Sequence, residues 1–170
     1  MALLSEPLDV DCLKSVEVIK TIQQRNGEAG CNRYIISQCN SALNVLEVYG
    51  LFLLGGWQTA ALMVDIVPLF ETIGDLENAP AIMETLYFYP VYSAHLKKRN
   101  HKQTIMLGFS DGTKDGGYMM ANWSIYKAKE NITSISRKYG VKVIYFDGRG
   151  GPPARGGGKT HKLYAPLGSC

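Results

Sequence analysis

The chain has 170 residues, 46% of them hydrophobic and 19% charged, with 18 Lys and Arg against 15 Asp and Glu for a formal net charge of +3. That length suits one unit with a real core rather than two domains, and the composition excludes disordered and fibrous architectures. The small, scattered positive charge excludes a general nucleic-acid footprint and leaves a local preference for small anions where arginines cluster near the C-terminus.

The first thirteen residues lack a basic region followed by an apolar core, so no secretory signal is expected and the cytoplasm is the default compartment. Cys12, Cys31, Cys39 and Cys170 form no CxxC pair and no zinc spacing with histidine, and read as reduced thiols. In residues 9–25, Leu13, Val16, Ile19 and Ile22 recur at spacings of three and Gly27 stands where the chain must stop, which predicts an amphipathic helix. Tyr34-Ile35-Ile36, ending at Ser37, reads as a strand, followed by a helix over 41–57. The stretch 42–64 carries one charged residue, Glu47, but Asn44, Gln58, Gly50, Gly55 and Gly56 interrupt it and no basic residues flank it. A buried helix is expected there, not a membrane span.

The same phrase then repeats. The β-branched run 64–70 ends at Glu71, and Asp75 opens a helical pattern through Glu84 toward Tyr87. A basic connector around Lys97-Lys98-Arg99 follows, with His95 and His101 expected on its surface. The run 104–109 ends at Ser110-Asp111, and 118–139 is a long helical stretch. Its apolar side is read as Trp123, Tyr126, Ile132 and Ile135, and its solvated face as Lys127, Lys129, Glu130, Arg137 and Lys138. Finally 141–146 is a strand running into Asp147-Gly148-Arg149. The strand ends at Ser37, Glu71, Asp111 and Arg149 are 34, 40 and 38 residues apart. Strands alternating with helices imply an α/β fold with a parallel sheet, its four apolar strands buried on both faces, in either a doubly wound sheet or part of a (β/α)8 barrel.

In both architectures ligands gather just beyond the strand ends, where these polar residues stand. Glu71 and Asp111 would meet there, and two carboxylates completed by water and substrate oxygens are a common way of holding magnesium; helix capping or pairing with a nearby lysine is the plainer alternative. The segment 148–158 holds six glycines, two prolines and two arginines, Arg149 and Arg155. Glycine lets backbone amides approach an anion and arginine clamps phosphate or carboxylate in pairs of hydrogen bonds, so a mobile anion-binding loop is expected in preference to a linker. Gly158-Lys159-Thr160 misses the nucleotide phosphate-loop pattern because Pro153 stands where glycine is required. Residues 110–117 lack the acidic frame of a calcium loop. His161 follows the glycine loop with no spacing that assigns it a role.

Residues 108–117, Gly-Phe-Ser-Asp-Gly-Thr-Lys-Asp-Gly-Gly, resemble the GYSDSxKDAG signature of the phosphoenolpyruvate carboxylase family. Residues 146–157 resemble its FHGRGGxxGRGG loop, and residues 68–76 its PLFETxxDL, in family order. The resemblance implies four parallel β/α units of a TIM-type (β/α)8 barrel preceded by an N-terminal helix. Residues 1–170 would then be a single partial domain excised from a longer enzyme, with little or no catalysis of its own. It implies a magnesium-dependent (or manganese-dependent) reaction of phosphoenolpyruvate with bicarbonate to oxaloacetate and phosphate. Glu71 and Asp111 match the metal-binding carboxylates and Lys114 the catalytic lysine. Arg149 matches the arginine on the phosphate and Arg155 the one linked to bicarbonate. Asp147 replaces the family's usual histidine, and Pro152-Pro153-Ala154 replaces small flexible residues. The parent enzyme would be a cytoplasmic homo-oligomer without nucleic-acid or membrane partners, and the segment alone, with two open sheet edges, would self-associate. A phosphate-binding α/β module of another kind and a non-catalytic structural domain are the competing readings.

Overall fold

The computed structural model describes residues 7–148, 157–159, 161, 162 and 165. In chain order the elements are α1 (Pro7–Asn26), β1 (Arg33–Ile36), α2 (Ala42–Leu54), β2 (Asp65–Phe70), α3 (Ile73–Phe88), α4 (Pro90–Lys98), β3 (Lys102–Gly108), α5 (Ser110–Lys138) and β4 (Lys142–Gly148). The four strands form one parallel sheet in the order β1-β2-β3-β4. Parallel neighbours need a crossover, and α2, the α3–α4 pair and α5 supply one each.

Each element follows from its local sequence. Val16 and Ile19 of α1 are buried, and Gly27 ends the helix with φ 78°, a conformation that glycine adopts without strain. Trp57 fixes α1 to the end of α2, its Nε1 donating to the Val16 carbonyl at 2.9 Å. A Cβ on Gly55 would lie 2.7 Å from Val16 Cγ2, so the two helices meet there with no room for a side chain. With its 13 residues α2 is a core helix, and no described helix is long and apolar enough to cross a membrane.

The core fills the space between sheet and helices. Phe52, Ile66, Phe70, Leu76, Met83, Leu86, Ile105, Leu107 and Ile132 are all essentially inaccessible. Burying each such side chain contributes about 1.5–3 kcal/mol before entropy is counted. Between the lower halves of β2 and β3 a side chain replaces ladder bonds. Gln103 Nε2 donates to the Ile66 carbonyl at 3.0 Å, and its Oε1 accepts from Tyr92 Oη at 2.8 Å. Backbone pairing of these strands then runs at Leu69–Met106 and Phe70–Leu107, next to the strand ends that carry the candidate site.

Several expectations are corrected here. Burial on both faces holds for β2 and largely for β3, but β1 and β4 alternate, leaving Ile35 49% and Phe146 55% exposed. On one face of the sheet, among the described residues, strand residues alone line an open trough of about 290 Å³ that includes Ile35, Val67, Thr104, Ile144 and Phe146. The connector before β3 is the helix α4, with Pro90 at its first turn, where the missing N–H is no loss. His95 is buried between Tyr49 and Tyr92, not on the surface, and burial, followed by the nearby Arg99 charge, pushes its pKa down to about 4. Arg99 is buried too, its guanidinium 2.5 Å from Asp65 and 2.7 Å from Glu28, whereas His101 is exposed as expected.

The long helix also turns differently. Its buried stripe is Ala121, Ser124, Ile125, Ala128, Ile132 and Ser136, while Trp123 and Tyr126 are more than half exposed and stack on each other at 5.9 Å. Small residues on that stripe let α5 lie close against α3, where Ser136 Oγ donates to Tyr87 Oη at 3.1 Å. Lys129 is not on the solvated face: it packs on the Tyr145 ring and pairs with Asp147 of β4.

Candidate functional site

The loops leaving β1, β2 and β3 converge on one cleft of about 580 Å³ lined by Ser37, Gln38, Asn40, Glu71, Thr72, Asp75 and Asp111. Three of the four strand-end positions singled out in the sequence, Ser37, Glu71 and Asp111, are thus brought together. The fourth, Arg149, and Arg155 with it, lie outside the described residues, as does most of the glycine loop.

Local chemistry sets each side chain. Glu71 is the first residue after β2, and its Oε2 accepts the Gln38 amide at 3.1 Å, tying the β2 exit to the β1 exit. The next four residues form a capping box: Thr72 Oγ1 accepts from Asp75 N at 3.1 Å, and Asp75 Oδ2 accepts from Thr72 N at 3.0 Å. This satisfies amides at the start of α3 and fixes the chain direction just past Glu71. Gly108, ending β3, lets the two segments meet closely: a Cβ there would sit 3.0 Å from Glu71 Cα, so a side chain would force the Glu71 segment to give way.

Asp111 stands in the first turn of α5 with Lys114 one turn on, and Lys114 Nζ lies 2.9 Å from Asp111 Oδ1. Both side chains are open to solvent, at 77% and 50% exposure for Lys114 and Asp111. This first stretch of α5 is a separate short helix, since Gly117 breaks the helical path with φ 78° and ψ 172°. Residues 110–116 can therefore follow the site while 118–138 follow the core. Below the cleft, burial and then the Asp75 charge push the Cys39 thiol up to about 11, which keeps it protonated and excludes it as a nucleophile at neutral pH.

At the exit of β4, Lys129 Nζ lies 2.9 Å from Asp147 Oδ1 and 3.0 Å from Oδ2. The carboxylate that precedes Arg149 is thus neutralised from α5. Tyr145 adds to the lock, its hydroxyl donating to the Lys129 carbonyl at 2.9 Å.

Sequence reasoning missed Gln38, Asn40 and Thr72 as cleft residues, and the role of Asp75. The pattern Thr72-x-x-Asp75 was the available signal for the last two; nothing in the chain marks Gln38, whose contribution is a backbone amide.

The described residues of the cleft offer only oxygen and amide groups, with no sulfur or imidazole among them. Such donors fit a hard cation of the magnesium or manganese kind. Among the described residues no three His, Cys, Asp or Glu side chains cluster as a complete ligand set. Two carboxylates with the remaining positions left to water and substrate oxygens match magnesium's usual partial ligation by protein.

The fold and cleft define an α/β protein with a one-sheet parallel core and an acidic site at the carboxyl ends of its strands. The chain belongs to the phosphoenolpyruvate carboxylase family, whose family model matches residues 5–167. It is 39% identical over 163 residues to the phosphoenolpyruvate carboxylase of Nitrosomonas eutropha, covering 92% of this chain and 18% of that protein. It is similar also to the enzyme of Mycobacterium leprae, 42% identical over 142 residues covering 80% of this chain and 15% of that protein. The chain therefore spans less than a fifth of the length of the curated relatives it matches.

Proposed function

We propose that this chain is the part of a phosphoenolpyruvate carboxylase that carries the metal-binding carboxylates. In the full-length enzyme it would take part in carboxylating phosphoenolpyruvate with bicarbonate to give oxaloacetate and phosphate. The observation that carries this reading is the convergence of Glu71 and Asp111, from neighbouring strand exits, on one cleft with no soft ligands. The trough lined by strand residues alone supports completion of a (β/α)8 barrel by further strands, because a doubly wound sheet would place helices over that face.

Glu71 and Asp111 would hold Mg2+ or Mn2+, which would supply a positive centre for the negative charge on the phosphate and on the enolate oxygen. Lys114 Nζ pairs with Asp111. Were Asp111 to ligate a cation, Lys114 would be free to pair with the negative charge of bicarbonate. Arg149 binds the phosphate group and Arg155 the bicarbonate-derived carboxyl group, each through the paired donors of a guanidinium. Attack of a bicarbonate oxygen on phosphorus breaks the bond from phosphorus to the enol oxygen. It yields carboxyphosphate and the pyruvate enolate; carboxyphosphate then breaks down to phosphate and carbon dioxide, which the enolate captures. On this reading the full-length enzyme would act in the cytoplasm as a homo-oligomer, and the 170-residue chain alone would have little activity.

Separate assay of oxaloacetate and pyruvate in the full-length enzyme tests these roles. Arg149→Ser should raise the KM for phosphoenolpyruvate. Arg155→Ser should keep phosphoenolpyruvate binding and divert turnover from oxaloacetate to pyruvate. Equal loss of both products in Arg155→Ser would remove Arg155 from the carboxylation step.

A further inference from the structure

Asp115 lies four residues past Asp111, outside the cleft lining, and no role in the chemistry falls to it. Its carboxylate is nevertheless engaged across the fold: Oδ2 accepts the backbone amide of Ile73 at 3.2 Å. Ile73 is the first residue of α3, so this amide has no partner within its own helix. The capping box of Thr72 and Asp75 satisfies the amides of Thr72 and Asp75 and leaves that of Ile73 to a residue from another element.

Three glycines in the same stretch show how tightly the two segments meet. A Cβ on Gly108 would lie 3.0 Å from Glu71 Cα, one on Gly112 3.4 Å from the Glu71 carbonyl oxygen, and one on Gly116 3.1 Å from Ile73 Cγ1. At four-residue spacing they run from the end of β3 along the short helix and present one side-chain-free track to residues 71–73. The break at Gly117 uncouples this short helix from the core-packed remainder of α5, so its position is set by the track and by the Asp115 bond.

We propose that Asp115 is a positioning residue that fixes the spacing between Glu71 and Asp111. By holding the amide of Ile73 it ties the turn that carries Asp111 and Lys114 to the segment that carries Glu71, with the glycine track setting the depth of contact. Without it the short helix slides or frays about Gly117 and the two carboxylates lose their common geometry. Outer groups that orient ligands in this way are commonly worth about ten- to a hundredfold in metal affinity.

The inference rests on the proposed metal role of Glu71 and Asp111, and the test separates the two. The 170-residue chain and its Asp115→Ala and Asp115→Asn variants would be titrated with Mn2+ while paramagnetic broadening of the Glu71 and Asp111 amide signals is followed. Amide hydrogen exchange at Ile73 would be measured in parallel, without metal. Asp115→Ala should need at least about tenfold more Mn2+ for half-broadening, and Ile73 should exchange faster. Asp115→Asn, which keeps an acceptor oxygen but no charge, should restore both to near the parent chain. Equal Mn2+ response in Asp115→Ala and the parent chain, or no rescue by asparagine, would overturn the positioning role. No selective broadening in the parent chain would instead overturn the metal reading, and unchanged exchange at Ile73 in Asp115→Ala would then overturn the tie between the segments on its own.

Discussion

Lys129 holds Asp147 from the middle of α5, its ammonium 2.9 Å and 3.0 Å from the two carboxylate oxygens. Their side chains are 16% and 25% exposed, so removing one partner strands the other in a poorly hydrated setting. Lys129→Met should therefore lower stability by roughly 2 kcal/mol, less than a fully buried pair would cost because water still reaches both groups. Asp147→Asn keeps an acceptor for the ammonium and should cost less. Urea unfolding of both variants checks the order, and a larger loss for Asp147→Asn would contradict it.

That pair also shows where sequence reading stops. The periodicity of 118–139 located the helix, but assigning its inner face by size favoured Trp123 and Tyr126. Alanines and serines line much of the buried face instead, where α5 packs against α3. Turning the helix this way carried Lys129 inward to Asp147. The expectation for His95 fails for a related reason: charged neighbours in the sequence suggest a surface connector, but α4 buries one face, and Arg99 there finds Asp65 and Glu28 from distant parts of the chain. The parallel order of the strands and the meeting of Ser37, Glu71 and Asp111 were legible, since strand ends in such a sheet share one edge. The capping amides and glycine contacts that set their spacing depend on backbone geometry that residue types alone do not encode.

His95 gives stability a pH dependence. Its pKa falls from 6.5 to about 4, first through burial and then through the Arg99 charge, with Lys98 adding to this and Asp65 and the Val64 backbone opposing it. A base held neutral in the folded state takes up a proton more readily when unfolded. Its contribution is therefore complete above the unfolded pKa near 6.5 and is lost as pH falls toward 4. The loss approaches about 3 kcal/mol as an upper figure. His95→Phe should flatten the unfolding free energy between pH 6.5 and 4; an unchanged slope would assign that slope to other groups.

Two glycine substitutions should separate backbone strain from site geometry. Gly117 has φ 78° and ψ 172° with open space around its missing side chain, so Gly117→Ala should cost about 1–3 kcal/mol of stability and leave Mn2+ binding nearly intact. Gly108→Ala drives a Cβ against Glu71 and should weaken Mn2+ binding directly. Thermal unfolding and Mn2+ titration of both variants check this; equal effects on binding would contradict the distinction.

A sheet face left uncovered among the described residues predicts self-association of the chain. Ile35, Ile144 and Phe146 are exposed around an apolar trough, and such faces are rarely left bare in water. Sedimentation velocity should show association rising with concentration, and Phe146→Lys should reduce it. A monomer at all concentrations would show that the face tolerates solvent.

The most direct test of the account is the metal dependence of oxaloacetate formation by the full-length carboxylase carrying Glu71→Gln or Asp111→Asn. Each substitution keeps size and removes one ligand charge, so each should lower the rate by roughly 10³-fold and shift activation to higher Mg2+. Unchanged activity and unchanged Mg2+ dependence in Asp111→Asn would contradict a metal shared by the two carboxylates.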